Sequence, residues 1–241
     1  MPKRKKSFKR RRRKGVRRRL VRSKLRTNRG LILGGFPKSK IVKLRYVTQI
    51  ALNAPSVGNN AVHVFRANSM YDPDFTGTGH QPSNFDRWTN VYDHYTVVGS
   101  KINVRYAPTA VASVIPAYVG IALTDSGSET ATISPVNLFE KKLVRTRWRS
   151  IGINENGHGF IGLRHKFSAR KFFGKPKGSL VNDSLYRGRM GNLGTGSDPS
   201  EGAFYEVFAT QIGANDPGDL HFIVTIDYIA VLTEPKMDDE S

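Results

Sequence analysis

Apolar and polar residues alternate along much of this chain, the period-2 signature of strands with one buried face. Residues 40–52 place Val42, Leu44, Tyr46, Thr48, Ile50 and Leu52 on one face and Lys43, Arg45 and Gln49 on the other. Further strands are predicted at 60–67, at 96–106 (Val98, Ile102, Val104 and Tyr106 opposed to Lys101, Asn103 and Arg105) and at 115–124. A fifth is expected at 143–151, where Val144, Thr146 and Trp148 alternate with Arg145, Arg147 and Arg149. The last three fall at 158–168, 203–212 and 220–233, the final one apolar on both faces and therefore expected at the centre of a sheet. Eight strands without strand–helix alternation predict an all-β sandwich or barrel.

Two helical segments interrupt the strands. Ser83 with Asp86 resembles a capping box, and Phe85, Trp88, Val91, Tyr92 and Tyr95 recur at helical spacing over 84–95. Residues 135–142 open on proline and close on lysines, as a short helix does. Residues 174–202 have seven glycines and little periodicity, and are expected to form a long surface loop.

Charge divides the chain. Residues 1–29 contain 17 Lys or Arg and no acid, out of 39 basic and 19 acidic residues in all. The remaining 22 basic and 19 acidic residues leave residues 30–241 at a net of +3. Seventeen like charges with little apolar area predict a disordered arm until a polyanion neutralises it. Its cations include Arg4, Lys5, Lys6, Arg10, Arg11, Arg12, Arg13, Lys14, Arg17, Arg18, Arg19 and Arg22. Guanidinium forks match phosphate oxygens, so backbone binding with steep salt dependence and little base preference is expected. The run is longer than the roughly 5–8 basic residues of an import signal, although it can serve as one as well. Residues 30–38, rich in Gly and Pro, are read as a hinge, residues 39–235 as the folded domain and 236–241 as an acidic tail.

Other chemistry finds little support. The absence of cysteine excludes disulfides, thiolate catalysis and Cys-based zinc sites. No apolar run is long enough to span a bilayer, and the basic N-terminus lacks the apolar stretch of a secretory signal. The six histidines form no HExxH pattern, and Gly77-Thr78-Gly79 lacks the lysine of a phosphate loop. Asp72 and Asp74 flank Pro73 and are first of all turn residues, with a metal role as the alternative. No nucleophile–base pairing is visible. No enzyme, no cofactor and no membrane insertion are expected.

Residues 67–106 carry a resemblance. MYDPDFTGTGHQP, then FDRW, then YDHYTVVGSKINV resemble the capsid proteins of small circular, replication-protein-encoding single-stranded DNA viruses, the circovirus-like group. Weaker similarity runs from about Lys38 to Pro235, and the 174–202 segment and the acidic tail match nothing in that group. The resemblance implies a single eight-stranded jelly roll, an icosahedral homo-oligomer of about sixty copies and an arm that packages a single-stranded DNA genome. It implies a place in the virion and, during assembly, in the host nucleus, with a nuclear import receptor as a further partner. In a jelly roll the first and third strands share a sheet, separated by the last strand. Lys43, Arg45, Lys101 and Arg105 would then line one polar face and join the arm as phosphate contacts. Two alternatives stay open: the capsid protein of a small RNA or satellite virus, and a cellular basic nucleic-acid-binding protein.

Overall fold

The computed structural model describes residues 32–33, 36–53, 59–107, 117–140, 147–151, 162–191, 195–211 and 218–236. The arm and its twelve named cations lie outside the described residues, as do residues 237–241 of the tail. Within the stretch read as a hinge, Ile32–Leu33 pairs antiparallel with Phe36–Pro37.

Eight strands build the domain. They are β1 (Ser39–Asn53), β2 (Ala61–Arg66), β3 (Tyr92–Tyr106), β4 (Ala117–Thr124), β5 (Arg147–Ile151), β6 (Gly162–Ser168), β7 (Phe204–Gln211) and β8 (Asp219–Pro235). One sheet runs β1-β8-β3-β6 and the other β2-β7-β4-β5, with every pair antiparallel. Strand one thus pairs with eight, two with seven, three with six and four with five. This nested order is that of the jelly roll, and the expected fold is the observed one.

The alternation in β1 produces the packing directly: Val42, Leu44, Tyr46, Ile50 and Leu52 are buried, while Lys43, Arg45 and Gln49 are exposed. Buried tyrosines bring polar atoms into the core, and each of the following has a partner, as burial demands. The Tyr228 hydroxyl donates to the Arg66 carbonyl (2.8 Å). The Tyr205 hydroxyl accepts from the Phe167 backbone N–H (2.9 Å) and lies 3.0 Å from Ser100 Oγ. Burial pushes the phenol pKa values of Tyr95, Tyr205 and Tyr228 up, which keeps these hydroxyls neutral.

The two sheets differ on their outer faces. That of β2-β7-β4 is covered by the chain after β4, including α2 (Pro135–Glu140): Leu138 and Ile133 pack on Phe208, Ala122 and Val62. In this layer Gly120 lies opposite Phe208, whose ring occupies the space a side chain would need. A Cβ on Gly120 would overlap Phe208 Cζ. Gly120→Ala is therefore expected to destabilise the domain by about 1–3 kcal/mol through overpacking. Thermal denaturation checks this, and Phe208→Leu in the same chain should recover part of the loss because the two sites share one space.

Five expectations are corrected or narrowed. Helix α1 covers only Phe85–Thr89, and residues 92–95 belong to β3. They pair with Leu232–Pro235, a partner remote in sequence. There is no capping box either, since Asn84 starts the helix with φ 68° and without a side-chain cap. A bulge in β3 leaves Val98 unpaired between Val97↔Ala230 and Gly99↔Ile229, so Val97 is buried in place of Val98. Strand β8 is central, but its outer face stays open, with Ile223 and Ile229 43% and 38% exposed. Finally, 174–202 is not a projecting loop. It contains α4 (Lys177–Asn182), a 3₁₀ turn at Ser184–Tyr186 and a two-residue strand, Gly188–Arg189, that pairs with His94–Tyr95. Leu180, Tyr186 and Met190 are buried against the core.

Candidate nucleic-acid interface

The DPDFTGTGHQP segment is a strap over two sheet edges. Residues 73–75 run along the free side of β2: the Arg66 N–H donates to the Pro73 carbonyl (2.8 Å), and the Phe75 N–H to the Val64 carbonyl (3.1 Å). The strap then crosses to β1, where His80 Nε2 lies 3.0 Å from the Val47 carbonyl oxygen and the Ser83 N–H donates to the Arg45 carbonyl (3.2 Å). Covering the unpaired groups of edge strands blocks pairing with another chain. Asp74, 4% exposed, is the strap's hub: it takes Thr76 N–H and hydroxyl bonds and lies 3.0 Å from His63 Nε2. Gly79 is required because a Cβ there would sit 2.6 Å from Asp74 Cβ. Asp72 accepts from Arg66 Nη1 (2.7 Å). These aspartates are bound into the architecture, and the described residues contain no cluster of three or more His, Cys, Asp or Glu that could hold a metal. His94 sits on β3 rather than a helix, with Nδ1 2.8 Å from Glu234 Oε2.

The functional candidate is the open face of β1-β8-β3-β6. Lys43 and Arg45 on β1 and Lys101 and Arg105 on β3 project from it, flanking β8 as expected. The register aligns them in cross-strand rows. One row reads Arg45, Asp227, Lys101, Lys166, and the next Val47, Thr225, Asn103, Arg164. On either side lie Lys43, Ile229, Gly99, Ser168 and Gln49, Ile223, Arg105, Gly162. Arg164 and Lys166 were missed as site residues. Their signal was the alternation of β6, in which exposed Arg164 and Lys166 interleave with buried Leu163, His165 and Phe167.

These rows hold six cations and one carboxylate, a net of +5. Residues 30–241 carry +3 in all, so the rest of that region sums to −2. The near-neutrality of the body therefore conceals a locally basic sheet face. Asp227 is committed to β1: its Oδ1 lies 2.6 Å from Arg45 Nε, and that hydrogen bond, then the charge, raises the Arg45 pKa. Exposed aliphatic residues, Ile41, Val47, Ile223 and Ile229, also lie on the β1–β8 half.

No family model matches the chain, and no curated protein matches it in sequence. Solved structures do resemble it in chain path. A decameric BFDV capsid protein is 11% identical over 81% of this chain and 99% of its own, with a TM-score of 0.42. Turnip yellow mosaic virus is 14% identical over 85% and 99%, with a TM-score of 0.43. A semi-empty virus-like particle of the giant freshwater prawn Macrobrachium rosenbergii nodavirus is 11% identical over 84% and 97%, with a TM-score of 0.44. The jelly-roll assignment stands on the strand order itself.

Proposed function

We propose that the chain is a capsid protein of the circovirus-like group of single-stranded DNA viruses, and not an enzyme. It self-assembles into a small icosahedral shell of about sixty copies and packages a single-stranded DNA genome through residues 1–29. The observation that carries this reading is the division of charge: a +17 arm joined to a jelly-roll body of net +3. A cellular nucleic-acid-binding domain spreads its cations over the fold to grip one stretch of backbone. A long polycation on a nearly neutral domain instead lets many bodies pack together while their arms neutralise one polyanion. Lys43, Arg45, Lys101 and Arg105 add phosphate contacts on the open sheet face. The same basic run addresses the protein to the host nucleus through an import receptor, before it becomes part of the virion.

Electron microscopy of the purified full chain, with nuclease digestion of disrupted particles, tests the reading. Uniform small spheres whose contents are degraded by DNase but not RNase are expected. A monodisperse monomer under assembly conditions would falsify the capsid assignment, and RNase-sensitive contents would move it to an RNA virus.

A further inference from the structure

The charged sheet face is not uniform, and its asymmetry has a physical meaning. On the β1–β8 half, Arg45 is compensated by Asp227 at 2.6 Å. On the β3–β6 half, Lys101 and Lys166 stand directly opposite each other across an antiparallel pair. Like charges in that position destabilise a sheet. Asp227 also neighbours Lys101 in the register but is already bound to Arg45. One row down, Arg164 is held towards β3 by donating from Nε to Asn103 Oδ1 (3.2 Å), diagonal to Lys101. The next row pairs Arg105 with Gly162, beside which no described atom comes within 4 Å of a would-be Cβ. The sequence extends this bias: residues 156–182 contain six Lys or Arg and no acid, and the exposed Arg170 and Lys171 follow β6 directly in α3 (Ala169–Phe172).

A sheet that opposes two lysines on its surface violates local charge pairing, and such violations gather at functional sites. We infer that Lys101, Arg164 and Lys166, with Arg105 in the row beyond, form a second phosphate-backbone site on the body, which engages nucleic acid independently of residues 1–29. The inference rests on the packaging role proposed above and extends the body's contribution from β1 and β3 onto β6. Cations two residues apart on a strand are spaced by about 6.8 Å and those on adjacent strands by about 5 Å. That two-dimensional grid suits a flexible strand whose phosphates can settle onto it.

The test uses the full chain with a short oligothymidylate as probe, measuring affinity against salt concentration. Each single-strand phosphate contact contributes about 0.7 to the slope of log K against log salt. Lys101→Gln/Lys166→Gln should shallow the slope by about 1.4. Ultraviolet cross-linking should place probe on peptides covering residues 101–105 and 164–171 as well as on the arm. Thermal melting without probe guards against misfolding: the double variant should melt no lower than the wild type, since a repulsive pair is removed. An unchanged slope with cross-links confined to residues 1–29 would overturn the inference while leaving the packaging role intact. No probe binding by the wild type at all would overturn the packaging role first. A loss of heparin binding without loss of oligothymidylate binding would overturn the inference in favour of a sulfated glycan.

Discussion

Glu206→Ala is expected to destabilise the domain by about 3–5 kcal/mol. Glu206 lies on β7 with no exposed surface, facing the covered side of the second sheet. No described cation pairs with it. Its carboxylate instead takes four donors from the last residue of β4 and the chain that follows it. Oε1 accepts from the Thr124 hydroxyl and the Glu129 N–H, and Oε2 from the Thr130 N–H and hydroxyl. Asn60 holds the same segment from the other side, donating to the Thr130 and Ile133 carbonyls. Alanine would leave buried donors without acceptors and a void besides, and each unmet donor costs about 1–3 kcal/mol. Against a whole-domain stability of roughly 5–15 kcal/mol, that is a large fraction. Differential scanning calorimetry should show the midpoint fall by roughly 10 °C, at about 2–4 °C per kcal/mol for a domain of this size. Glu206→Gln should recover only part of the loss, because its amide turns a donor towards donors. A midpoint within about 2 °C of wild type for the alanine variant would mean that water replaces the carboxylate without cost.

Strand positions were legible because their period is local. In β1 every second residue faces the core, and the same rule in β6 would have found Arg164 and Lys166 had it been applied to charge as well as to burial. The strand order was not readable from periodicity, since which strands pair depends on contacts remote in sequence; the expected jelly roll came from the resemblance at residues 67–106. Where β3 begins, the pattern misled. Phe85, Trp88, Tyr92 and Tyr95 have helical spacing, yet Tyr92 and Tyr95 are strand residues fixed by β8 and by the bulge at Val98. Tertiary pairing overrides local spacing in such a case.

The 174–202 segment failed for another reason. Leu180, Tyr186 and Met190 each reach the core from a different short element, a helix, a 3₁₀ turn and the end of a two-residue strand. Three anchors on three elements share no period, so their burial leaves no mark in the sequence. The strap at 72–83 was the converse case: its residues stood out as a motif, but their hydrogen bonds to two edge strands are what give the order Asp-Pro-Asp, Gly, His its sense.

Deleting residues 1–29 should leave a folded jelly roll and abolish packaging. All eight strands lie after residue 38, so thermal melting of the truncated chain is expected to stay within a few degrees of the full one. Its formal charge falls from +20 to +3. In a shell of about sixty copies the loss is on the order of a thousand charges, comparable to the phosphates they would neutralise by counterion release. The coupling works in both directions. On the proposed packaging role, seventeen like charges per copy oppose closure of a shell without genome, and with genome the same charges draw the copies together. Truncation removes the repulsion and the attraction at once, so the expected products are empty shells or unassembled protein. Nucleic acid per particle, read from the ratio of absorbance at 260 and 280 nm, should drop at least about tenfold, on the scale of multi-phosphate salt effects. Glutamine replacement of Arg10–Arg13 and, separately, of Arg17–Arg19 should each lower packaging roughly in proportion to the charges removed, because a phosphate backbone counts cations without reading their order. A truncated chain that still packaged a full complement would end the arm model and leave the +5 sheet face to explain packaging alone.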